Sequence, residues 1–588
     1  MARVAMQMPL AASFLIVILL AACTVGPDFQ VPPPPEVKLT PDSLPLYVSA
    51  GRKVQRLVHG SDVRGDWWRL FHSKELSVLI ERALRDNHDL KAAQAALRVA
   101  HANYRAQQGA LFPLVAANVS PTDQKVATSV LSSPTISGDP FYTLQTGQLT
   151  ISYVPDVFGG IRRQVEAAGA QEESQRFVLE ATYLTLTSNI ALAAIQEASL
   201  RGQIEANKLA AEDEVLLFGN DKSRKAFCGA KPRDWAALKS AIAQAQQSVP
   251  LLQKQLVAQR DLLTALTGHF AGDGLREHFT LSSLSLPKDV PVMLSSQIVQ
   301  QRPDVRAAQA NLHAAGALVG VAIANRLPQF NITGNIGRSG SQFNDLLNPA
   351  PPFLFWTVAG NVTQTIFDGF TLEQRQRAAE AGWDQVREQY QSTLVTAFQN
   401  VADALQAIKL DATSVDKAIN AETAARENLC LTADAFVGYN GNPEQPELAR
   451  VKRNHRLEER ITNAFMCWRG KVCQNAVKGL KRERAGEANR WCDAVKKDAV
   501  KSDLDNSDAD SSSEAQCKDA DSNTDTPSGI DLLTSEQLYL TTKLSRITAE
   551  ASRYADVVAL FQALGGGWWN RIDVEEAPDS GLFAGPRP

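Results

Sequence analysis

Long apolar runs are almost missing from this 588-residue chain. Only Leu10 to Ala22 has membrane character, and its 13 residues fall short of the ~20 a spanning helix needs. No later run qualifies, so a membrane role would have to rest on a β-barrel or a lipid, the remaining ways to satisfy backbone polar groups or hold a bilayer. Excess charge is missing too. Lys plus Arg is 60 against 64 Asp plus Glu, a net charge of −4, which leaves no basic footprint for nucleic acid. Histidine is scarce, and its eight copies form no HExxH or His-x-x-x-His pair. There is also no phosphate-cradling GxxxxGK[ST] and no GxSxG elbow. No catalytic residue, metal site or cofactor is therefore expected, and the chain does not read as an enzyme. Disorder throughout is excluded as well, because 44% of the residues are hydrophobic and 21% charged.

What is present begins with an export pattern. Arg3, a short apolar core, and Ala21 and Ala22 before Cys23 have the layout of a secretory signal. Leu20-Ala21-Ala22-Cys23 resembles the bacterial lipoprotein box. That resemblance implies cleavage before Cys23, acylation (palmitate among the chains) at that residue, and, with Thr24 following, sorting to the outer membrane. Gly26 to Pro35 reads as an extended tether, since its prolines admit neither helix nor central strand.

The chain then repeats itself. Asp89 to Pro113 aligns without gaps with Asp304 to Pro328, 215 positions on, with nine of 25 residues identical, among them Asp89/Asp304, Gln94/Gln309 and Pro113/Pro328. Phe158 and Gly160 match Phe367 and Gly369 at an offset of 209, and Asp234, Leu263 and Gly268 match Asp531, Leu560 and Gly565 at 297. The jump of 88 places an insertion in the second copy.

Each copy predicts helix, two strands, long helix, turn, helix. Glu75 to Leu111 reads as one helix of ~55 Å, and Arg162 to Lys225 as another of ~96 Å, far beyond a globular helix. Leu179, Tyr183, Leu186, Ile190, Ala193, Leu200 and Ile204 keep 4-3 spacing, with Glu197 the one polar break. Leu394, Phe398, Val401, Leu405, Ile408, Ala412, Val415 and Ile419 repeat it, which predicts coiled-coil packing. Strands are expected at Val115 to Ser120, Gln148 to Tyr153, Phe330 to Gly337 and Val358 to Ile366, where residues alternate with period two. Segments 121–140 and 339–352 read as loops. Phe112, Tyr153, Phe330, Phe355, Trp356 and Phe367 fall near strand ends, as in an interface girdle. Four strands cannot close a transmembrane barrel, so a barrel needs several copies of the chain.

With these residues in place the chain resembles the TolC/OprM-type outer-membrane factors, in their lipoprotein (NodT-like) branch. The resemblance is carried by Cys23 with Gly26-Pro27-Asp28-Phe29, by Trp68, Phe71, Leu76, Leu84 and Asn87, and by Arg302-Pro303-Asp304-Val305. Phe158-Gly159-Gly160, Phe367-Asp368-Gly369 and Ala563 to Trp568 complete it. It implies an α+β membrane protein whose tandem-duplicated coiled-coil helices form a periplasmic α-barrel, with four strands per protomer making a trimeric 12-stranded β-barrel. It further implies an exit duct for drugs or other small solutes, partnered by a periplasmic adaptor and an RND-type inner-membrane transporter. An acidic ring would narrow the tip, and the matching positions here are Asp531 and Asp234. Thr534 stands where the family has a second acid, so Asp531 as gate and Asp531 as an ordinary helix-start aspartate both stay open.

The expected division is a signal peptide 1–22, a lipidated tether and start of the equatorial region 23–70, a first repeat 71–268, an inter-repeat segment 269–297, a second repeat 298–441, an insert 442–527, the last helix 528–570 and a tail 571–588. The insert has no counterpart in the family pattern. Its first half is basic and its end an acidic Ser/Asp run, and it holds Cys467, Cys473, Cys492 and Cys517. Their spacing is not zinc-like but allows two disulfides in any of three connectivities. A solvated loop, a disulfide-held helical hairpin or a stretch foreign to the natural reading frame all remain open. A coiled-coil scaffold or adaptor lipoprotein is the competing function, and the same channel serving protein secretion or metal export a third.

Overall fold

The computed structural model describes residues 24–33, 47–50, 53–59, 62–125, 141–218, 232–292, 301–347, 353–439 and 529–571. In chain order these form β1 (Tyr47–Ala50), β2 (Lys53–His59), α1 (Lys74–Asp86), α2 (His88–Gly109), β3 (Leu114–Lys125), β4 (Phe141–Tyr153), α3 (Gly160–Phe218) and α4 (Pro232–Leu266). After them come β5 (Asp289–Val292), α5 (Pro303–Ala324), β6 (Gln329–Gly340), β7 (Leu354–Thr363), α6 (Thr371–Tyr439) and α7 (Gly529–Ala563).

The expected helix from Glu75 to Leu111 is two helices. Asn87 breaks it with φ −60° and ψ 131°, its backbone N–H donating to Ala83 and its side-chain oxygen accepting from Leu90 N–H at 2.9 Å. The side-chain amide also donates to Leu266 O at 2.9 Å, fastening the break to the end of α4. A side chain that satisfies an orphan N–H makes a new helix start favourable in mid-pattern. The second predicted helix is α3, 59 residues long or about 89 Å, and its counterpart α6 has 69. Both seams are in the core as their spacing requires. Ile190, Ala193, Leu200 and Ile204 are buried on α3, and Leu394, Phe398, Val401, Leu405, Ile408, Ala412 and Val415 on α6. Two helices, Gly160–Glu212 within α3 and Pro303–Ala324, do have the length and apolarity to cross a membrane, contrary to the sequence reading. Their apolar windows are mostly buried against other helices of the protomer, which accounts for the composition.

The four predicted strands exist, and the first three run longer than expected; the last is shifted, beginning at Leu354 and ending at Thr363, so Gln364 to Ile366 lie in the turn toward α6 and not in the strand. The four form one antiparallel sheet in the order β3-β4-β6-β7. Pro121, expected to open a loop, lies inside β3, an edge strand of the protomer's own sheet, where proline is tolerated. A second sheet, β1-β2-β5, was not anticipated: β2 pairs antiparallel with β1 and parallel with β5. It occupies part of the stretch expected to be tether. Below it the turn Trp67–Phe71 plugs the bundle, with Trp67 stacked on Phe561 at 5.4 Å and Phe71 against Tyr554.

Candidate functional site: the channel wall

The larger sheet separates its residues by face. Through the register, Val115, Ala117 and Val119 of β3 align with Ile151, Leu149 and Gly147 of β4. These continue through Ile332, Gly334 and Ile336 of β6 to Trp356, Val358 and Val362 of β7, and the same rows end in the charged Asp123, Lys125 and Arg338 at the loop end of the strands. Trp356 and Val358 are each 71% exposed, and Val115, Val119, Ile336 and Val362 are exposed with them. The opposite face carries Asn118 and Ser120, Thr146, Gln148, Thr150 and Ser152, Asn331, Thr333 and Asn335, and Thr357, Asn361 and Thr363. One apolar face open to the surroundings and one polar face is the dyad pattern of a barrel wall between lipid and water. Strands of 12, 13, 12 and 10 residues meet the ~9–11 that a tilted membrane crossing takes. The sheet has open edges at β3 and β7, which hydrocarbon would not tolerate, so closure requires further copies.

At the far end of β4 and β7 the chain turns into the long helices under aspartate caps. Asp156 accepts from Ile161 N–H at 2.9 Å and Arg162 N–H at 2.8 Å, and Asp368 accepts from Leu372 N–H at 2.8 Å. Phe158 packs on Phe330, and Phe367 on Phe370, at this level, with Phe367 79% exposed. Further along, the duplicated Asp89 and Asp304 line one groove of about 590 Å³ with Asn189, Asn311 and Tyr390, a convergence the repeat alignment alone does not convey. Burial raises the Tyr390 phenol above its ordinary value.

Glu197, the polar break in the seam, is fully buried. Its Oε1 accepts from Arg201 at 2.7 Å and from Arg260 at 2.7 Å, and Arg260 donates on to Leu275 O, tying α3, α4 and the following loop together. In the second copy Arg546 binds Glu422 and Glu550. Buried Arg553 reaches Gln55 of β2 at 2.8 Å, and desolvation holds its guanidinium below the usual value. Asp556 of α7 is pushed up to about 7, first by burial and then by its hydrogen bond with Asp411 of α6. None of these polar ties was foreseen, because a buried charge is recognised by its partner and the partners are distant in sequence.

Among the predicted site residues, Asp531 is exposed in the first turn of α7, and Asp234 is the third residue of α4. The two thus occupy equivalent helix starts, where the helix dipole favours negative charge. Cys23 and the cysteines Cys467, Cys473, Cys492 and Cys517 lie outside the described residues, as does the insert itself. No metal-binding cluster of His, Cys, Asp or Glu occurs among the described residues.

The model of the outer membrane efflux protein family matches residues 79–269 and 294–437. The chain belongs to that family. Among curated relatives, the pyoverdine export outer membrane protein OpmQ of Pseudomonas putida is 27% identical over 343 residues, 58% of this chain and 72% of that one. Outer membrane protein OprJ of Pseudomonas aeruginosa is 26% identical over 400 residues, 67% and 80% of the two chains. Among solved structures, the outer-membrane channel OprN superposes with a TM-score of 0.68 at 21% identity, covering 93% of this chain and all of that one. The Campylobacter jejuni CmeC outer membrane channel gives 0.68 at 19%, covering 93% and 95%. As an outer membrane efflux protein, the chain is an outer-membrane channel that extends into the periplasm and acts as a homotrimer with an adaptor and an inner-membrane transporter. Membership of an efflux family, in place of a scaffold or adaptor one, decides between the two functions the sequence left in competition.

Proposed function

We propose that this chain is the passive exit duct for small organic solutes, and that an RND-type transporter supplies the drive. The observation that carries the reading is the two-faced sheet, with Trp356, Val358 and Val362 toward lipid and Thr357, Asn361 and Thr363 toward the lumen. A scaffold that used only the helices would have no need of exposed apolar residues alternating with polar ones. Small-solute cargo is favoured over protein or metal by the relatives, whose names refer to export of pyoverdine, toluene and antibiotics. Acylated Cys23 holds the protein to the same membrane, and Asp531 with Asp234 forms the acidic constriction at the periplasmic entrance, where converging like charges select cations and resist closure.

Purified trimer in a planar bilayer tests this. Discrete conductance steps are expected, and Asp531→Ala is expected to reduce cation preference and, by removing the repulsion that resists closure, to lower open probability. A protein that binds bilayers but never conducts would sink the duct reading, and an Asp531→Ala channel identical to the parent would remove the gate alone.

A further inference from the structure

The segment that follows Cys23 is bound along its length to the rest of the fold. Val25 N–H donates to Phe158 O at 3.2 Å. Arg163, buried near the start of α3, donates from Nε to Val25 O at 3.1 Å, and from Nη2 to Gly26 O at 3.3 Å and to Asp28 Oδ1 at 2.7 Å. Its Nη1 is held by Glu166 at 2.7 Å. Although burial opposes it, Asp28 and Glu166 together keep the guanidinium above its ordinary value. Phe29 stacks on His313 with ring centroids 4.3 Å apart and planes at 14°, and His313 Nε2 lies 2.8 Å from Glu166. The route is shaped by glycine. Gly26 has φ +99°, and a Cβ there would sit 2.4 Å from Gly320 Cα; a Cβ on Gly159 would sit 2.7 Å from Thr24 Cγ2. At Gly26, where backbone approaches backbone this closely, any larger residue is excluded, and at Gly159 one would push into the Thr24 side chain.

We propose that residues 24–29 are a docked strap, seated in an Arg163 socket between α3 and α5, that fixes where the acyl anchor on residue 23 leaves the fold. The exit point is the Phe158-Gly159 turn that joins β4 to α3. One residue spans at most ~3.6 Å, so the chains of Cys23 start within a few ångströms of this turn. Phe158, Phe330, Phe367 and Phe370 stand at the same strand-to-helix level, where an interfacial aromatic girdle belongs. Lipid and barrel therefore enter the bilayer in fixed register, and the lipid acts as a depth stop and not only as a tether. A guanidinium this buried also supplies the reason the strap stays down: lifting it strips Arg163 of Asp28 and two carbonyls and leaves a desolvated charge with Glu166 alone.

The inference rests on the lipidation of Cys23 proposed above, and the test separates the two. Hydrogen exchange by mass spectrometry on the full-length trimer in detergent reads the strap, while the intact mass of the N-terminal peptide reads the acyl groups. The Val25 amide is expected to be protected in the parent and in a Cys23→Ser form exported with a conventional leader. Gly26→Val, which alters the strap alone, is expected to speed its exchange at least about tenfold with α3 and α5 unchanged. Asp28→Asn, at a carboxylate 85% exposed, is expected to do so more weakly, which covers the case in which Arg163→Ala fails to fold. Free exchange at Val25 in the parent, or protection lost in Cys23→Ser, overturns the proposal, since the lipid would then hold the strap. An unacylated N-terminal peptide with a protected Val25 overturns the anchoring premise while the strap itself stands.

Discussion

Glu197 shows how a residue can read as a flaw in a pattern and serve as a fastening in the fold. It interrupts the seam of α3, yet its carboxylate receives two arginines, one from its own helix and one from α4. Removing one partner of a buried ion pair leaves the other charge uncompensated, which costs ~3–5 kcal/mol when the site is dry. Both arginines here keep part of their surface in solvent, so Glu197→Ala is expected to cost about 2–3 kcal/mol and to lower the thermal midpoint of the purified protein. An unchanged midpoint would mean that water replaces the carboxylate without loss. Asp556 makes the opposite case. Its folded carboxyl titrates near 7 through burial and the contact with Asp411, against ~3.9 for an unfolded aspartate. Between those values the folded chain binds more protons than the unfolded one, so this group's contribution is full below about pH 4 and is lost as pH rises through about 7. Asp556→Asn is expected to flatten the decline in stability between pH 5 and 8 and to gain about 2 kcal/mol at pH 8. Parallel pH curves for the two proteins would show that the pair does not share a proton.

At the scale of the element, how far a structure could be read depended on how local its signal was. The strands were legible because alternation is a property of neighbouring residues: the apolar positions Val358 and Val362 of the predicted strand are the ones the register brings to the exposed face. The long seams were legible for the same reason. The break at Asn87 was not, since the apolar pattern continues on both sides and only the side-chain bonds to Leu90 and Leu266 mark it. Nor was β5, four residues containing Pro291, whose pairing partner β2 lies more than 200 residues earlier. The face assignment of β7 has a direct consequence. Arginine on the lipid face of an outer-membrane strand costs ~2–4 kcal/mol near the midplane, whereas the lumen side tolerates charge and responds in selectivity. Val358→Arg is expected to impair insertion of trimers into vesicles. Its neighbour Thr357→Arg is expected to insert normally and shift conductance toward anions. If both variants insert equally, the sheet's faces have been assigned the wrong way round or do not meet lipid.

For the whole molecule, the duplication indicates where one protomer meets the next. The homologous helices α2 and α5 sit in unlike surroundings. α5 packs on both α3 and α6 and buries residues from Pro303 to Ala324, whereas α2 packs chiefly on α3, buries only Leu90, and leaves Val99 60% exposed. Since α5 lies between the long helix of its own repeat and that of the preceding one, the equivalent site beside α2 is expected to be filled by α6 of another copy. The same step seals the sheet, because open edge β3 then faces open edge β7 of that neighbour and continues the antiparallel alternation. Such a head-to-tail interface generates a ring if the rotation closes. The contact can be placed by transferring a known one: His313 of α5 meets Glu166 of α3 at 2.8 Å. Its repeat-mates are Arg98, at the offset of 215, and Arg375, at the offset of 209 that relates Phe158 and Gly160 to Phe367 and Gly369. Arg98→Cys with Arg375→Cys, treated with a short thiol cross-linker in membranes, is expected to give covalent dimers and trimers on a denaturing gel. Neither single variant should do so, and His313→Cys with Glu166→Cys should cross-link only within the chain. If the Arg98/Arg375 pair stays monomeric while the internal pair reacts, the repeats do not continue across the interface, and the ring must close through surfaces other than α2 and α6.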